Sequence, residues 1–403
     1  MKSYLEILRV PGVARIIVAQ LVARIPAGML SLGVLIHIER LFDSYAAAGV
    51  VLAALSLGQA VAGPLTSRWL GRWGMRPVLL ATTVVCSIAL AVIALAPLAL
   101  VGYLFVAAIA GLSMPPVQPA VRTIYPKLVN GKQLSPLFSL DASAQELIWI
   151  GGPVIVTVVA TQVSTVAGIL LPVAFLTLGG AWFIASPELG RVRVPPSTRG
   201  MGRVLSRPPL LMAVVVSILM IGSCGAIEAA VVATFGDHGG GEAGIIIGIW
   251  ALGSLTGGLV FGHLAPGPWS QARRLLVILI GCMLAALAWD FWTLAVALLV
   301  AGLFIAPTLG AMSSAISVSM KFSETAEAYG WVGTGGLLGA GLGAALAGVF
   351  IDQVGPAGGF WVSVTLAAAA VLVAAVFHRA LPDLRGRDAT PLPDTAPVPI
   401  QPR

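Results

Sequence analysis

Residues 136–160 read PLFSLDASAQELIWIGGPVIVTVVA, and the placement of this stretch decides the fold. It is long and apolar enough to cross a bilayer, yet it carries Asp141, Gln145 and Glu146 in its first half and Gly151-Gly152-Pro153 in its second. A charge near the middle of a span costs roughly 2.5–3.5 kcal/mol on insertion scales, so these carboxylates belong against a partner or a water-filled cavity rather than lipid. The glycine pair and the proline free backbone groups that only neighbouring helices or cavity water can satisfy, which predicts a place to bend.

The rest of the chain repeats the pattern. Of 403 residues, 58% are hydrophobic and only 10% charged, whereas water-soluble proteins carry about a quarter charged. Apolar runs recur to the end of the chain, which neither a cleaved leader nor a single anchor explains, so this is an integral membrane protein with the lipid bilayer as its surroundings. The net charge of +7 does not point to nucleic acid. Nearly all Lys and Arg sit in short loops between apolar runs, as the positive-inside rule expects. Cys86, Cys224 and Cys282 fall inside predicted spans without metal-ligand spacing and read as small buried apolar residues. The sequence shows no nucleotide-binding motif, G-x-S-x-G, H-E-x-x-H or Cys/His cluster, so it implies no enzyme, metal or cofactor.

Met1 to Val10 is expected to lie along the inner membrane surface. Spans are predicted at about 13–37, 46–65, 78–95, 98–121, 136–160 and 166–184, then at about 209–234, 243–264, 273–289, 292–316, 325–350 and 357–379. Ser186 to Pro208 carries five arginines and several prolines, enough to join two bundles rather than two adjacent helices. The chain thus divides into an N-terminal six-helix bundle (1–185), a cytoplasmic basic linker (186–208), a C-terminal six-helix bundle (209–380) and a Pro- and Asp-rich tail without fixed structure (381–403). Predicted inside loops hold Arg68, Arg72, Arg76, Lys127, Lys132, Arg191, Arg193, Arg199, Arg203, Arg207, Arg273, Arg274 and Lys321, and predicted outside loops only Arg40. That asymmetry puts both termini in the cytoplasm of a cell with the protein in its inner (plasma) membrane. An internal repeat supports the division. Gly111-Leu112 with Pro116 matches Gly302-Leu303 with Pro307, and Glu146, Trp149 and Gly151-Gly152 are echoed by Glu327, Trp331 and Gly335-Gly336. A parallel duplication of two six-span halves is the simplest reading.

With these residues in view, the chain resembles the major facilitator superfamily over all twelve spans. Arg72, Gly74 and Arg76 in GRWGMR look like the superfamily's D-R-x-G-r-R signature. The resemblance implies a gating loop that ties span 2 to the opposite half and biases the inward/outward equilibrium. Gly71 stands in place of the signature's Asp, and Ser67 in place of its leading Gly. Gly152-Pro153 resembles the core of the motif carried by exporters in the family, with Val156 and Thr157 where a further glycine pair is expected. The intramembrane arginine of many drug/proton antiporters has no counterpart in AAIAG before Gly111, and Arg24 in span 1 is the candidate to supply that charge.

Arg24 shares a helical face with Gln20 and Ser31 and lies roughly 20 Å in by helix rise, with Glu146 about 15 Å in. Spans 1 and 5 are neighbours in the family, so the two are expected to pair or to share a water cluster. Such a pair is either a proton-coupling device or a permanent ion pair that settles two buried charges. Glu228, on one face of span 7 with Ser217 and Cys224, is a second candidate acid. Asp141 is expected to meet Arg122 or the basic loop after span 2 as a gate contact. Asp237, Asp290 and Asp352 are expected to be solvated at outer loops. The cavity candidates are Gln20, Gln118, Gln145, Trp149, Trp250, Trp331 and Ser313, an aromatic set better suited to lipophilic solutes than to sugars. Gly335, Gly339, Gly343 and Ala347 in span 11, with Gly244, Gly248, Gly253 and Gly257 in span 8, form smooth stripes for close helix approach. By resemblance these stripes face the other half and slide on it. The expected function is a monomeric secondary transporter that exports a small lipophilic or drug-like solute in exchange for protons. The alternatives are a proton-coupled importer of a small metabolite and, from another class, a non-transporting sensor or lipid-modifying enzyme.

Overall fold

Prolines and close-packed glycines set where the helices stop and which neighbours they touch. The computed structural model describes residues 2–197, 200–235, 241–385 and 388–394, so Arg199 and Asp237 lie outside the described residues. Twelve spans are present. The first half holds span 1 (Val13–Arg24 and Pro26–Phe42), span 2 (Tyr45–Trp73), span 3 (Met75–Leu95), span 4 (Leu100–Leu112 and Val117–Leu128), span 5 (Gly131–Gln162) and span 6 (Thr165–Ala185). The second half holds span 7 (Pro208–Phe235), span 8 (Gly241–Phe261), span 9 (Ser270–Ala286), span 10 (Phe291–Gly302 and Ile305–Ser319), span 11 (Thr325–Val354) and span 12 (Pro356–Val376). Eleven are long and apolar enough to cross a membrane. Span 9, at 17 residues, falls a little short of the roughly 20 that a hydrocarbon core asks for.

Spans 1, 4 and 10 break at prolines. Pro307 has no N–H to give to the carbonyl of Leu303, four residues back, and the first segment of span 10 ends at Gly302. Gly151-Gly152-Pro153 does not interrupt span 5, which is one helix from Gly131 to Gln162. The reason is contact with span 1: a Cβ on Gly152 would stand 2.8 Å from the carbonyl carbon of Gly28. The two backbones touch, and the neighbour supports the helix across the one hydrogen bond that Pro153 cannot make. The expected basic loop from Ser67 also differs, since span 2 stays helical to Trp73 and Gly74 alone makes the turn at φ 90, ψ 155. Only glycine adopts that geometry without strain.

The glycine stripe of span 11 packs inside its own half rather than across to the other. Gly335 lies on Val214, Gly339 on Ile218 and Gly343 on Gly222, all in span 7, and in span 8 Gly253 and Gly257 lie on Leu299 and Leu303 of span 10. The halves meet instead through spans 2 and 11 and through span 5 with spans 8 and 10. There a Cβ on Gly330 would stand 2.5 Å from the carbonyl oxygen of Gly63, and one on Gly310 2.9 Å from Cα of Ser139. These contacts sit in the part of the bundle nearer residues 186–208, here called the linker side. Away from that side, Gly244, Gly248, Gly341 and Gly348 have no atom within 4 Å of a Cβ position.

The described segments nearest the two ends, from residue 2 and up to residue 394, pack on the linker side. The segment expected to lie on the membrane surface is a helix, Lys2–Leu8, with Tyr4 and Ile7 buried. Tyr4 donates from its hydroxyl to Gly258 O in span 8 at 2.9 Å, and burial pushes its phenol up to about 12, so it stays a donor. The tail, read from composition as without fixed structure, is packed as far as it is described: Leu384 and Ala389 are buried and hydrogen-bonded to the body.

Candidate functional site

Three helices place a buried polar cluster by the simplest rule of helix geometry, that residues four apart share a face. Gln20 and Arg24 come from span 1, Gln118 and Arg122 from the second helix of span 4, and Asp141 and Gln145 from span 5. Asp141 is fully buried and accepts from Gln20 Nε2 at 2.9 Å, Tyr125 Oη at 3.1 Å, Arg122 Nε at 3.2 Å and Arg24 Nη1 at 3.4 Å. Arg24 also donates to Gln20 Oε1 at 2.8 Å and to Gln145. Gln118, with its amide oxygen turned to the guanidinium groups, accepts from Arg122 at 2.9 Å and Arg24 at 3.1 Å. Two guanidinium groups share one carboxylate, so the cluster carries a surplus positive charge. Arg122 stands 6.0 Å over the ring of Tyr329 in span 11, which links the cluster to the other half.

Asp141 thus meets Arg122, while Arg24 is held by Asp141 and not by Glu146. The reason is angular. At 100° per residue Gln145 stays near the face of Asp141, whereas Glu146 is turned about 140° away. Glu146 accepts instead from Ser254 Oγ of span 8 at 2.8 Å, and Ser254 Oγ accepts from Ala306 N at 3.2 Å, near the break in span 10. Gly302 lets span 10 lie directly on the backbone of Trp250 and Ser254, which fixes that hydroxyl. Its repeat mate Gly111 lies in the same way on Leu55 and Gln59 of span 2. Glu228 is exposed. Glu146 lies on the seam between spans 5 and 8, and Glu228 lies on span 7 four residues after Cys224.

On the linker side, Arg68 of span 2 pairs with Glu327 of span 11 at 2.9 Å, and Glu327 also accepts from Gly202 N at 2.8 Å. Thr334 donates to Ala60 O at 2.8 Å. In the expected gating loop, Arg72 stacks on Trp73 at 5.9 Å and Arg76 donates to Ser186 O at 3.3 Å. These arginines therefore anchor their own half and the linker. Among the described residues, Arg68–Glu327 is a charged tie between halves, with the cation on span 2 and the anion on span 11. In the sequence Glu327 stands only as an echo of Glu146. Its place in the first turn of span 11, facing a basic span 2, is the signal that could have found it. Nearby Glu188 is buried against Arg15; burial alone would raise its carboxyl, but the Arg15 hydrogen bond and charge outweigh this and hold it below the ordinary value.

The remaining candidates do not converge. Trp149 is about half exposed on span 5, whereas Trp250 is buried beside span 10. Trp331 is at the linker side beside Gly202. Ser313 is buried, bonds Leu309 O of its own helix at 2.9 Å and accepts from Tyr329 at its carbonyl.

Twelve spans in two six-helix halves, joined along spans 2, 5, 8, 10 and 11, are the architecture of a membrane transporter. The family model for the Major Facilitator Superfamily matches residues 16–289, and the chain belongs to that superfamily; it is a transporter and not an enzyme. No curated protein matches the sequence significantly. Among solved structures, the human organic anion transporter MFSD10 (TETRAN) is similar with a TM-score of 0.72 at 17% identity, covering 90% of this chain and 98% of that one. A bacterial homologue of the iron transporter ferroportin in an outward-facing state has a TM-score of 0.72 at 13% identity, covering 91% and 98%. The proton:xylose symporter XylE bound to 6-bromo-6-deoxy-D-glucose has a TM-score of 0.69 at 14% identity, covering 94% and 98%.

Proposed function

We propose that the protein works as a monomer in the inner membrane and exports a small lipophilic or drug-like solute in exchange for protons. Its termini and linker lie in the cytoplasm, and the halves before and after residues 186–208 move as units. The observation that carries this reading is Glu146. Among the described residues it is held by a hydroxyl of the opposite half, while the neighbouring guanidinium groups are engaged by Asp141. A carboxylate placed on the seam without a cationic partner cannot be enclosed cheaply while charged, and a proton removes that cost. Proton occupancy of Glu146 then decides which side of the seam opens. Glu228, exposed on span 7, adds negative charge to the route, which suits lipophilic cations and neutral amphipathic solutes.

Transport in inside-out vesicles tests the proposal. An acid lumen should drive concentrative uptake of a lipophilic fluorescent solute, and a protonophore should abolish it. Uptake of a small metabolite driven by an inward proton gradient in right-side-out vesicles would make the protein an importer instead.

A further inference from the structure

We propose that residues 388–394 form a strap across the seam between the halves, and that this strap must detach before the linker side can open. Leu384 N donates to Pro266 O, between spans 8 and 9, at 2.9 Å. In the first half, Asp388 lies against Gly131 at the start of span 5. Ala389, 1% exposed, bonds to both halves. Its N–H donates to Gly131 O at 3.3 Å, and its carbonyl accepts from Ser317 Oγ at the end of span 10 at 2.8 Å. Beyond it, Leu392 N donates to Met320 O at 2.9 Å, Phe322 N donates to Leu392 O at 3.0 Å, and Ser323 N donates to Asp394 Oδ1 at 3.1 Å. Pro126 and Lys127 of the first half and Phe322 of the second line the groove beside residues 390–394.

The strap sequence suits this role. Pro391 and Pro393 have no N–H to satisfy, so the one amide between them, that of Leu392, is the one that needs a partner and has it. Proline also pre-extends the backbone, which lowers the entropy lost on docking. Spans 5 and 10 are the pair that touch at Ser139 and Gly310. Parting them moves Gly131 away from Ser317, so one of the two bonds of Ala389 must break. The tail therefore biases the equilibrium towards the state closed on this side. This rests on the proposed motion of the halves and on nothing about the solute.

The test is made in a full chain with Cys86, Cys224 and Cys282 replaced by Ala and with Ser143→Cys, a position sealed between the halves. Labelling by an impermeant maleimide in inside-out vesicles should be about tenfold faster when residues 382–403 are removed, as expected for losing one or two net hydrogen bonds. A synthetic peptide of residues 381–394 should slow it again. Equal rates with and without the tail overturn the proposal, as does faster labelling that the peptide leaves unchanged. Should the truncated chain fail to reach the membrane, Ala389→Pro in the full chain removes the bond to Gly131 and must speed labelling on the same terms. If Arg68→Glu exposes the introduced thiol and tail removal does not, the strap alone is refuted; if neither does, the parting of the halves is refuted with it.

Discussion

Glu146→Gln is expected to abolish gradient-driven transport, lowering the initial rate by on the order of a hundredfold, the lower end of what loss of a proton-transferring side chain costs. The amide oxygen of Gln can still accept from Ser254 Oγ, now bonded to Glu146 at 2.8 Å, so the seam and the amount of protein in the membrane should stay as they are. What is lost is a site that changes charge. The variant should therefore still exchange labelled for unlabelled solute across vesicles with no pH difference, a step that needs closure over the solute but no net proton movement. Wild-type rates under a gradient would remove Glu146 from the coupling role. Loss of both gradient-driven transport and exchange would assign it to solute binding instead.

Asp141→Asn should have the largest effect on stability. Asp141 takes four hydrogen bonds from Gln20, Arg24, Arg122 and Tyr125, and its charge is the one that balances two buried guanidinium groups within the cluster. Removing one partner of a buried ion pair costs about 3–5 kcal/mol because the other charge is left uncompensated. The purified variant should melt several degrees lower, and less of it should reach the membrane. Adding Arg24→Gln, which takes away one stranded charge, should recover part of that loss, with a coupling of about 0.5–3 kcal/mol. A thermal-shift series on the two single variants and the double variant measures it. Strict additivity would show that Arg24 and Asp141 do not share an electrostatic unit.

Much of the fold is legible in the chain because bilayer thickness and proline chemistry act locally. The predicted spans match the observed ones closely at most ends, and the Gly111/Pro116 and Gly302/Pro307 repeat marks two real helix breaks. Asp141 with Arg122 is also within reach, since each buried charge needs an opposite partner. What the sequence hides is direction. Glu146 and Arg24 sit at similar depth, but the face that carries Asp141 and Gln145 points to span 1 and the face of Glu146 points to span 8. Depth alone cannot separate them, whereas the angle between residues 141, 145 and 146 can. The glycine stripes show the same limit, because four-residue spacing announces close packing without naming the neighbour. Gly343 touches span 7 of its own half, while Gly330, one residue before Trp331, touches span 2 of the other. Arg68–Glu327 and the bonds of Ala389 join residues hundreds of positions apart or within a proline-rich tail, where no periodicity exists to read.

The measurement that bears most directly on the whole account uses a native residue. Cys224 is partly exposed, and Cys86 and Cys282 are buried, so with the latter two changed to Ala an impermeant maleimide reports access to the face of span 7 that carries Glu228. The account predicts labelling from the far side in the otherwise native chain. Labelling should move to the linker side when Arg68→Glu breaks the tie to Glu327. Labelling from the same side at the same rate in both chains would contradict it.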